Sequence, residues 1–494
     1  MRDHGIGSWT ARRARKSPQR TAVVHQGTRL TYAQLHDRST RLAHHLCSLG
    51  VGRGDRVAFL GPNHPAFLET LFAAGRLGAV FVPLNTRLAA PELTHCLTDS
   101  GTTCLVHTDA FTGFAEQCGV SRTVPVGEGY ERALEQAGES PLDENVTHDD
   151  LAMIMYTSGT TGRTKGAMLT HGNLVWNSIN TLVDGEFAAD EVTLLSAPLF
   201  HTAALNMTCL PTFLKGGTLL LEESFSPSRT LDLVEEHRVT VMFGVPAMFQ
   251  QIAAEPRFAT ADLSSVRSMM CGGAPVPESL IRVYEKRGLS FIQGYGMTEA
   301  SPGVCLLDAA NALAKAGSAG LPHFFSDVRI TGPDGADAER GELVTEGPNV
   351  MAGYWGLPLA TADALRDGWF RTGDVAVRDA DGYVTVVDRV KDVIISGGEN
   401  IYPAEVEKAL HEHPDIVDCA VIGVPDETWG EVGRAVVVLR AGATVDEAGI
   451  LASLEGRLAR YKIPKSVVLT DELPRSAAGK LLKLPIRRAY GTDA

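Results

Sequence analysis

The chain has 494 residues, 44% of them hydrophobic, and a formal net charge of −14. That length exceeds one typical core and predicts at least two domains, while the acidic balance argues against nonspecific nucleic-acid binding. No apolar run reaches the roughly 18 residues of a membrane span, and the N-terminus MRDHGIGSWTARRARKSPQR carries no signal-peptide core, so a cytoplasmic location is expected.

Arg12, Arg13, Arg15, Lys16 and Arg20 form the one local basic exception, read as a solvated helix face, with weak peripheral contact to an anionic membrane as the functional alternative. From Ser8 to about Asp143 the pattern alternates helices with short strands. TYAQLHDRSTRLAHHLCSLG is amphipathic at helical spacing, RVAFLGP is a strand, HPAFLETLFAAGRLGA a second helix, and GAVFVP and CLVH are further strands. The Gly/Glu-rich stretch from Val126 to Asp150 reads as a surface connection. Eight cysteines lie scattered without C-x-x-C spacing, and the histidines are equally dispersed, so reduced thiols and no structural metal are predicted.

The segment from Thr157 to Lys165, TSGTTGRTK, has the chemistry of a phosphate cradle. Gly159 and Gly162 permit turns that side-chained residues resist, Thr157, Ser158, Thr160, Thr161 and Thr164 supply hydroxyls, and Lys165 supplies charge. An apolar strand, LAMIMYT, feeds it and a helix start, HGNLVWNSI, follows, so the expected context is strand, glycine loop, helix. It is not a Walker A loop, because Arg163 and Thr164 separate Gly162 from Lys165.

Beyond it one unit recurs: an apolar strand, a Gly- or Pro-containing loop, then a helix. VTLLSAPLFHTAALN, VTVMFGVPAMFQ, VRSMMCGGAPVPESLIRVYEKRG and LSFIQGYGMTEA all follow it, and in a parallel sheet such loops collect on one ligand-binding edge. The texture turns β-rich from about Gly341 and becomes a small α+β unit after Lys391. The predicted fold class is therefore α/β: a large domain over 1–388 with mainly parallel sheets and a β-rich end, and a small mobile domain over 392–494.

Six motifs occur in order: Thr157 to Lys165, GGAP at Gly272 to Pro275, GYGMTE at Gly294 to Glu299, FRTGD ending at Asp374, DRVKDVIISGGENIYPAEVE from Asp388, and PRSAAGK ending at Lys480. This ordered set resembles the adenylate-forming superfamily of acyl-CoA synthetases, luciferases and peptide-synthetase adenylation domains across essentially the whole chain. The resemblance implies ATP, Mg²⁺ and CoA as cofactors and a small-molecule carboxylic acid as substrate. It also implies roles: the Thr157 to Lys165 loop on the β- and γ-phosphates, Thr298 near the α-phosphate, Glu299 on Mg²⁺, and Tyr295 between Gly294 and Gly296 stacking on adenine. Gly272, Gly273, Ala274 and Pro275 form the opposing wall, Asp374 and Arg389 meet ribose or phosphate, and Lys480 is the catalytic lysine. Lys391 matches the hinge, and Gly398 the glycine lining the pantetheine tunnel. The bland alternatives are a solvated loop acid for Glu299, a turn residue for Asp374 and a solvated lysine for Lys480.

His201 is placed with the catalytic residues. It follows Phe200 where amino-acid-activating relatives carry an aspartate, which argues against an amino-acid substrate. Ala203, Leu205, Met207, Phe243, Val245 and Val304 are the expected apolar pocket, each of which also suits ordinary core. NTRLAAPEL, AGSAG and RLARYKIPK resemble bacterial fatty-acyl-CoA ligases most, so a medium or long fatty acid is the expected substrate. An aromatic acid of cinnamate or benzoate type, or a carrier-protein acceptor, is the alternative. Oligomeric state is left open, a homodimer being one option.

Overall fold

Runs that are apolar at successive positions, such as VTLL, TLLL and VMFG, belong to strands covered on both faces, and these organise the first part of the chain. The computed structural model describes every residue except 1–2, 143, 158–163, 186, 397–398, 427–428, 456, 459, 476–479 and 492–494. The chain divides into two units, one of Met1–Val328, Thr345–Phe370 and Ala380–Val384, the other of Arg329–Val344, Arg371–Asp379 and Thr385–Ala494.

The first unit holds a nine-stranded sheet. Its spatial order is Leu321–Pro322, Gly303–Leu307, Phe291–Gly296, Ser268–Gly272, Val241–Gly244, Val192–Leu195, Thr218–Leu221, Thr21–His25 and Thr28–Thr31. From Phe291–Gly296 to Thr21–His25 the pairing is parallel; the outer strands are antiparallel. Helices Pro227–His237, Pro246–Ala254 and Glu278–Glu285 cover one face, where Val234, Phe249, Ile281 and Tyr284 pack with Met242, Met269 and Phe291. The other face shares a core with a seven-stranded sheet, Val23, Leu195 and Leu219 joining Phe59, Phe81 and Met153. This is the α/β architecture the sequence predicts.

Two details differ from the sequence reading. Lys165–Thr170 is a strand pairing antiparallel with Leu151–Thr157, so the glycine loop closes a hairpin, and the helix starts only at His171. The segment KGAMLT is too short for its alternation to stand out beside the glycine loop. The Thr170 and Asn173 side chains then form a capping box that starts the helix. Within 126–150 lies a helix, Glu128–Gln136, burying only Tyr130 and Leu134; two apolar residues one turn apart are a faint signal amid charge. In the basic N-terminal cluster, Arg12, Arg13 and Arg20 donate to the carbonyls of Asp3, Leu214 and Ala189, which ties three of its five side chains to the fold.

Strands Asp327–Thr331, Arg340–Glu346, Trp369–Arg378 and Val384–Arg389 supply the β-rich stretch. The second unit ends in a sheet with Gly430–Leu439 at its centre, paired with Ile416–Asp426, Ile394–Ser396 and Ser466–Leu469. Helices Pro403–His411 and Glu447–Leu454 bury Val406, Leu410, Ile450 and Leu454 against Ile394, Val421 and Val437, while Ile486 of Lys483–Tyr490 packs with Ala420, Ile422 and Val436.

Candidate active site

Four neighbouring parallel strands, Val192–Leu195, Val241–Gly244, Ser268–Gly272 and Phe291–Gly296, send their following loops to one edge. That edge therefore gathers His201, the Gly272 to Pro275 segment and the Gly294 to Glu299 segment, far apart in sequence. Gly272 pairs with Gly294, and a Cβ on Gly272 would stand 3.0 Å from the Gly294 carbonyl oxygen. Gly273 has φ +85°, which favours glycine, and Ala274 and Pro275 are exposed. A Cβ on Gly296 would stand 1.8 Å from the Pro302 carbonyl oxygen, so the turn into Thr298 demands glycine. Tyr295 and Thr298 are half-buried on this edge.

The described stems of the phosphate-type loop are Thr157, Thr164 and Lys165; Ser158, Gly159, Thr160, Thr161 and Gly162 lie outside the described residues. Thr157 sits opposite Lys165 and donates from Oγ1 to its carbonyl at 3.4 Å. Helix Ala90–Ser100 braces this hairpin. Tyr156 donates to Asp99 Oδ2 at 2.7 Å, Cys96 Sγ lies 4.0 Å from Thr164 Oγ1, and Trp355 Nε1 donates to the Asp99 carbonyl at 3.0 Å.

Lys165 Nζ lies 4.9 Å from the centre of the Tyr354 ring, and Tyr354 Oη donates to Glu299 Oε1 at 2.9 Å. One tyrosine thus draws a cation and a carboxylate of two distant motifs together. Burial, then the Glu299 charge, push the Tyr354 phenol well above its ordinary pKa, so it stays a donor. The Thr298–Ala300 turn is pinned from behind: Met351 N donates to the Glu299 carbonyl at 2.8 Å, and Asn349 Nδ2 donates to the carbonyls of Ala300 and Gly303, both at 2.7 Å. Sequence reasoning missed Tyr354 and Asn349, whose only signal is the GYW run just beyond an isolated Asn-Val.

The His201 ring lies against Phe200, centroids 4.7 Å apart, and leads into a buried π-helical segment, Ala203–Cys209. Among the expected pocket residues, Met207 and Phe243 join Phe187, Met270, Ile292 and Leu306 in one apolar cluster. Leu205 instead lies fully buried in the inter-sheet core, the ordinary-core reading of that position. Val304 is also fully buried, while Ala203 and Val245 are half-buried. Asn177 and Thr181, one turn apart on helix His171–Asp184, reach Met207 Sδ at 3.9 and 3.5 Å.

In the second unit Asp374 is 3% exposed and its Oδ1 lies 2.7 Å from Arg389 Nε, so the two residues matched to ribose and phosphate hold one another. Gly373 before it has φ +71°. Lys391 sits in the turn Val390–Asp392, and its carbonyl accepts from Arg487 at 3.4 Å. Lys480 is exposed just before helix Lys483–Tyr490. Gly398 lies outside the described residues.

Residues 10–355 match the AMP-binding enzyme family, and residues 405–480 its C-terminal domain. The chain belongs to the AMP-binding enzyme family. This AMP-binding enzyme is 59% identical to feruloyl-CoA synthase of an Amycolatopsis species, covering 99% of this chain and 100% of that one. It is 44% identical to indoleacetate–CoA ligase of Aromatoleum aromaticum, covering 98% of each. Among solved structures it resembles a Mycobacterium tuberculosis fatty acyl CoA synthetase, with a TM-score of 0.82, 38% identity and coverage of 99% and 98%. It also resembles the Bacillus subtilis o-succinylbenzoate CoA synthetase in complex with ATP and magnesium ion, with a TM-score of 0.88, 32% identity and coverage of 97% and 99%. The AMP-binding enzyme is an AMP-forming acyl-CoA ligase with ATP, Mg²⁺ and CoA as cofactors, as the motif order implies.

Proposed function

We propose that this ligase activates a small aromatic acid of the hydroxycinnamate type, ferulate among them, and transfers it to CoA, taking the aromatic alternative over the fatty-acid expectation. The observation that carries this reading is the 59% identity, end to end, with a feruloyl-CoA synthase. The apolar cluster adds physical support. Phe187 and Phe243 offer flat walls and Met207 and Met270 polarisable ones, a lining suited to a planar ring. The likeness to a fatty acyl CoA synthetase at 38% identity supports an aliphatic tail as the second reading.

Joining a carboxylate to the α-phosphate of ATP brings two anions together, so the site must neutralise charge. In this reading Thr157, Thr164 and Lys165, with residues 158–162, hold the β- and γ-phosphates, Thr298 meets the α-phosphate, and Lys480 donates to carboxylate and phosphate oxygens. Tyr295, facing Gly272 to Pro275, holds adenine, Asp374 and Arg389 hold ribose, and His201 flanks the carboxylate. Glu299 fits Mg²⁺: it is a half-buried oxygen donor, one of whose oxygens already has a fixed donor in Tyr354. Bound there, Mg²⁺ supplies charge to the phosphate oxygens. The domain division at Lys391, with the small domain moving between half-reactions, belongs to the same proposal.

The test compares kcat/KM for ferulate, octanoate and dodecanoate with CoA, ATP and Mg²⁺ held constant. Ferulate is expected to exceed both fatty acids by more than about tenfold, a difference of about 1.4 kcal/mol. A fatty acid ahead by that margin overturns the aromatic reading.

A further inference from the structure

We propose, resting on the aromatic-acid reading, that His323 is a specificity-determining residue that accepts a hydrogen bond from the ring hydroxyl of the substrate. His323 is 1% exposed, and its Nδ1 lies 2.5 Å from Asp184 Oδ2, which also accepts from the Phe324 backbone N–H at 3.2 Å. An ionised carboxylate only accepts, so in the neutral ring Nδ1 carries the proton and Nε2 is the acceptor. Nε2 is buried and meets no hydrogen-bond partner among the described residues.

The position of Nε2 links it to the acyl side of the site. Gly303 has no side chain, and a Cβ built there would stand 2.7 Å from His323 Nε2 and 3.1 Å from Asn177 Oδ1. His323 thus fills the space that a larger residue at Gly303 would take. Gly303 lies opposite Gly296 in the sheet, next to the turn that carries Thr298 and Glu299. Asn177 ties the same spot to the apolar cluster: its Oδ1 accepts from Gly303 N at 3.0 Å and its Nδ2 reaches Met207 Sδ. A second buried acceptor without a partner among the described residues, Asn206 Oδ1, adjoins Met207 in the chain.

A buried acceptor left unpaired is costly, so the site favours a ligand or water that supplies the missing donor. A fatty tail has no donor to offer. A phenolic O–H has one, and it sits at the end of the ring opposite the carboxylate. The hydrogen bond involves no proton transfer. It rewards the hydroxylated ring, because the analogue without the hydroxyl leaves Nε2 unpaired.

The test uses 4-hydroxycinnamate and cinnamate, which differ by that one hydroxyl, on the wild type and on His323→Leu, His323→Gln and Asp184→Asn. The wild type is expected to favour 4-hydroxycinnamate in kcat/KM by about tenfold or more. His323→Leu should bring the two acids within about twofold while sparing cinnamate, and His323→Gln, which keeps an acceptor, should restore part of the preference. Asp184→Asn, which removes the carboxylate fixing the tautomer, should fall between. The ultraviolet band of bound 4-hydroxycinnamate, shifted to longer wavelength in the wild type, should return toward its free position in His323→Leu. An unchanged preference in His323→Leu, or equal loss on both acids, overturns the assignment. If His323→Leu does not fold, an unchanged preference in Asp184→Asn overturns it. Equal, efficient use of both acids by the wild type sinks the His323 proposal alone, whereas fatty acids used in preference to both sink the aromatic reading beneath it.

Discussion

Tyr354 touches two groups of opposite charge, and its hydroxyl and ring do separate work. Tyr354→Phe keeps the ring face beneath Lys165 and removes only the bond to Glu299. A hydrogen bond to a charged group is worth about 1.5 to 3 kcal/mol. The Mg²⁺ concentration for half-maximal rate is therefore expected to rise by about tenfold, and ATP binding measured by calorimetry should lose most of its Mg²⁺ dependence. A wild-type Mg²⁺ titration in the variant would show that Tyr354 does not position Glu299. Lys480→Ala should cut acid-dependent ATP–pyrophosphate exchange by about a hundredfold or more while ATP still binds; near-wild-type exchange removes Lys480 from the chemistry.

Helix His171–Asp184 shows what a single element contributes, because the stripe it buries is polar. Asn173 donates to the carbonyls of Pro348 and Val350, Asn177 holds Gly303, Asn180 Nδ2 donates to Ser326, and Asp184 holds His323. His171 begins the helix fully buried, and its Nδ1 accepts from Ile6 N at 3.1 Å. Burial holds the His171 pKa down to about 4, below the ordinary value of 6.5. The stability it contributes is therefore present above about pH 6.5 and lost as pH falls through about 4. His36 and His64, also held down to about 4, act in the same sense. The thermal midpoint should drop across that window, and less steeply in His171→Asn, whose side-chain oxygen can still accept from Ile6. A variant as steep as the wild type contradicts this. Asn349→Ala, which leaves two buried carbonyls without their donor, should cost about 1 to 3 kcal/mol in urea unfolding. The helix itself was legible from HGNLVWNSI, as were the strand–loop–helix units that set the site's edge. Its scaffold role was not, because asparagines at helical spacing read as a solvated face until their partners at Gly303, Ser326, Pro348 and Val350, more than a hundred residues later, are known. The same limit hid Tyr354 and His323. Glycines at Gly273 and Gly296 stood out because their demand is local.

At the scale of the whole molecule, Lys391 carries the proposed division between adenylation and thioester formation. Lys391→Pro restricts φ in the turn Val390–Asp392. Pyrophosphate release from acid and ATP should survive in that variant better than CoA-dependent turnover, and equal loss of both with the fold intact ends the hinge proposal. The order of strands in the nine-stranded sheet bears on how the molecule is made. Val23 pairs with Leu219, and Val192–Leu195 lies between Thr218–Leu221 and Val241–Gly244. On the ribosome, Thr21–His25 has only its hairpin neighbour Thr28–Thr31 until Thr218–Leu221 emerges, a wait of roughly ten to forty seconds at about 5 to 20 residues per second. Val23 and Val24 have no second sheet partner through that interval, and the ligand-binding edge waits for Phe291–Gly296, the last of the four parallel strands whose loops form it. Non-local closure of this kind slows folding, so soluble yield is expected to rise with slower translation or added chaperone, and by as much in a Lys480→Ala chain, whose site chemistry is gone, as in the wild type.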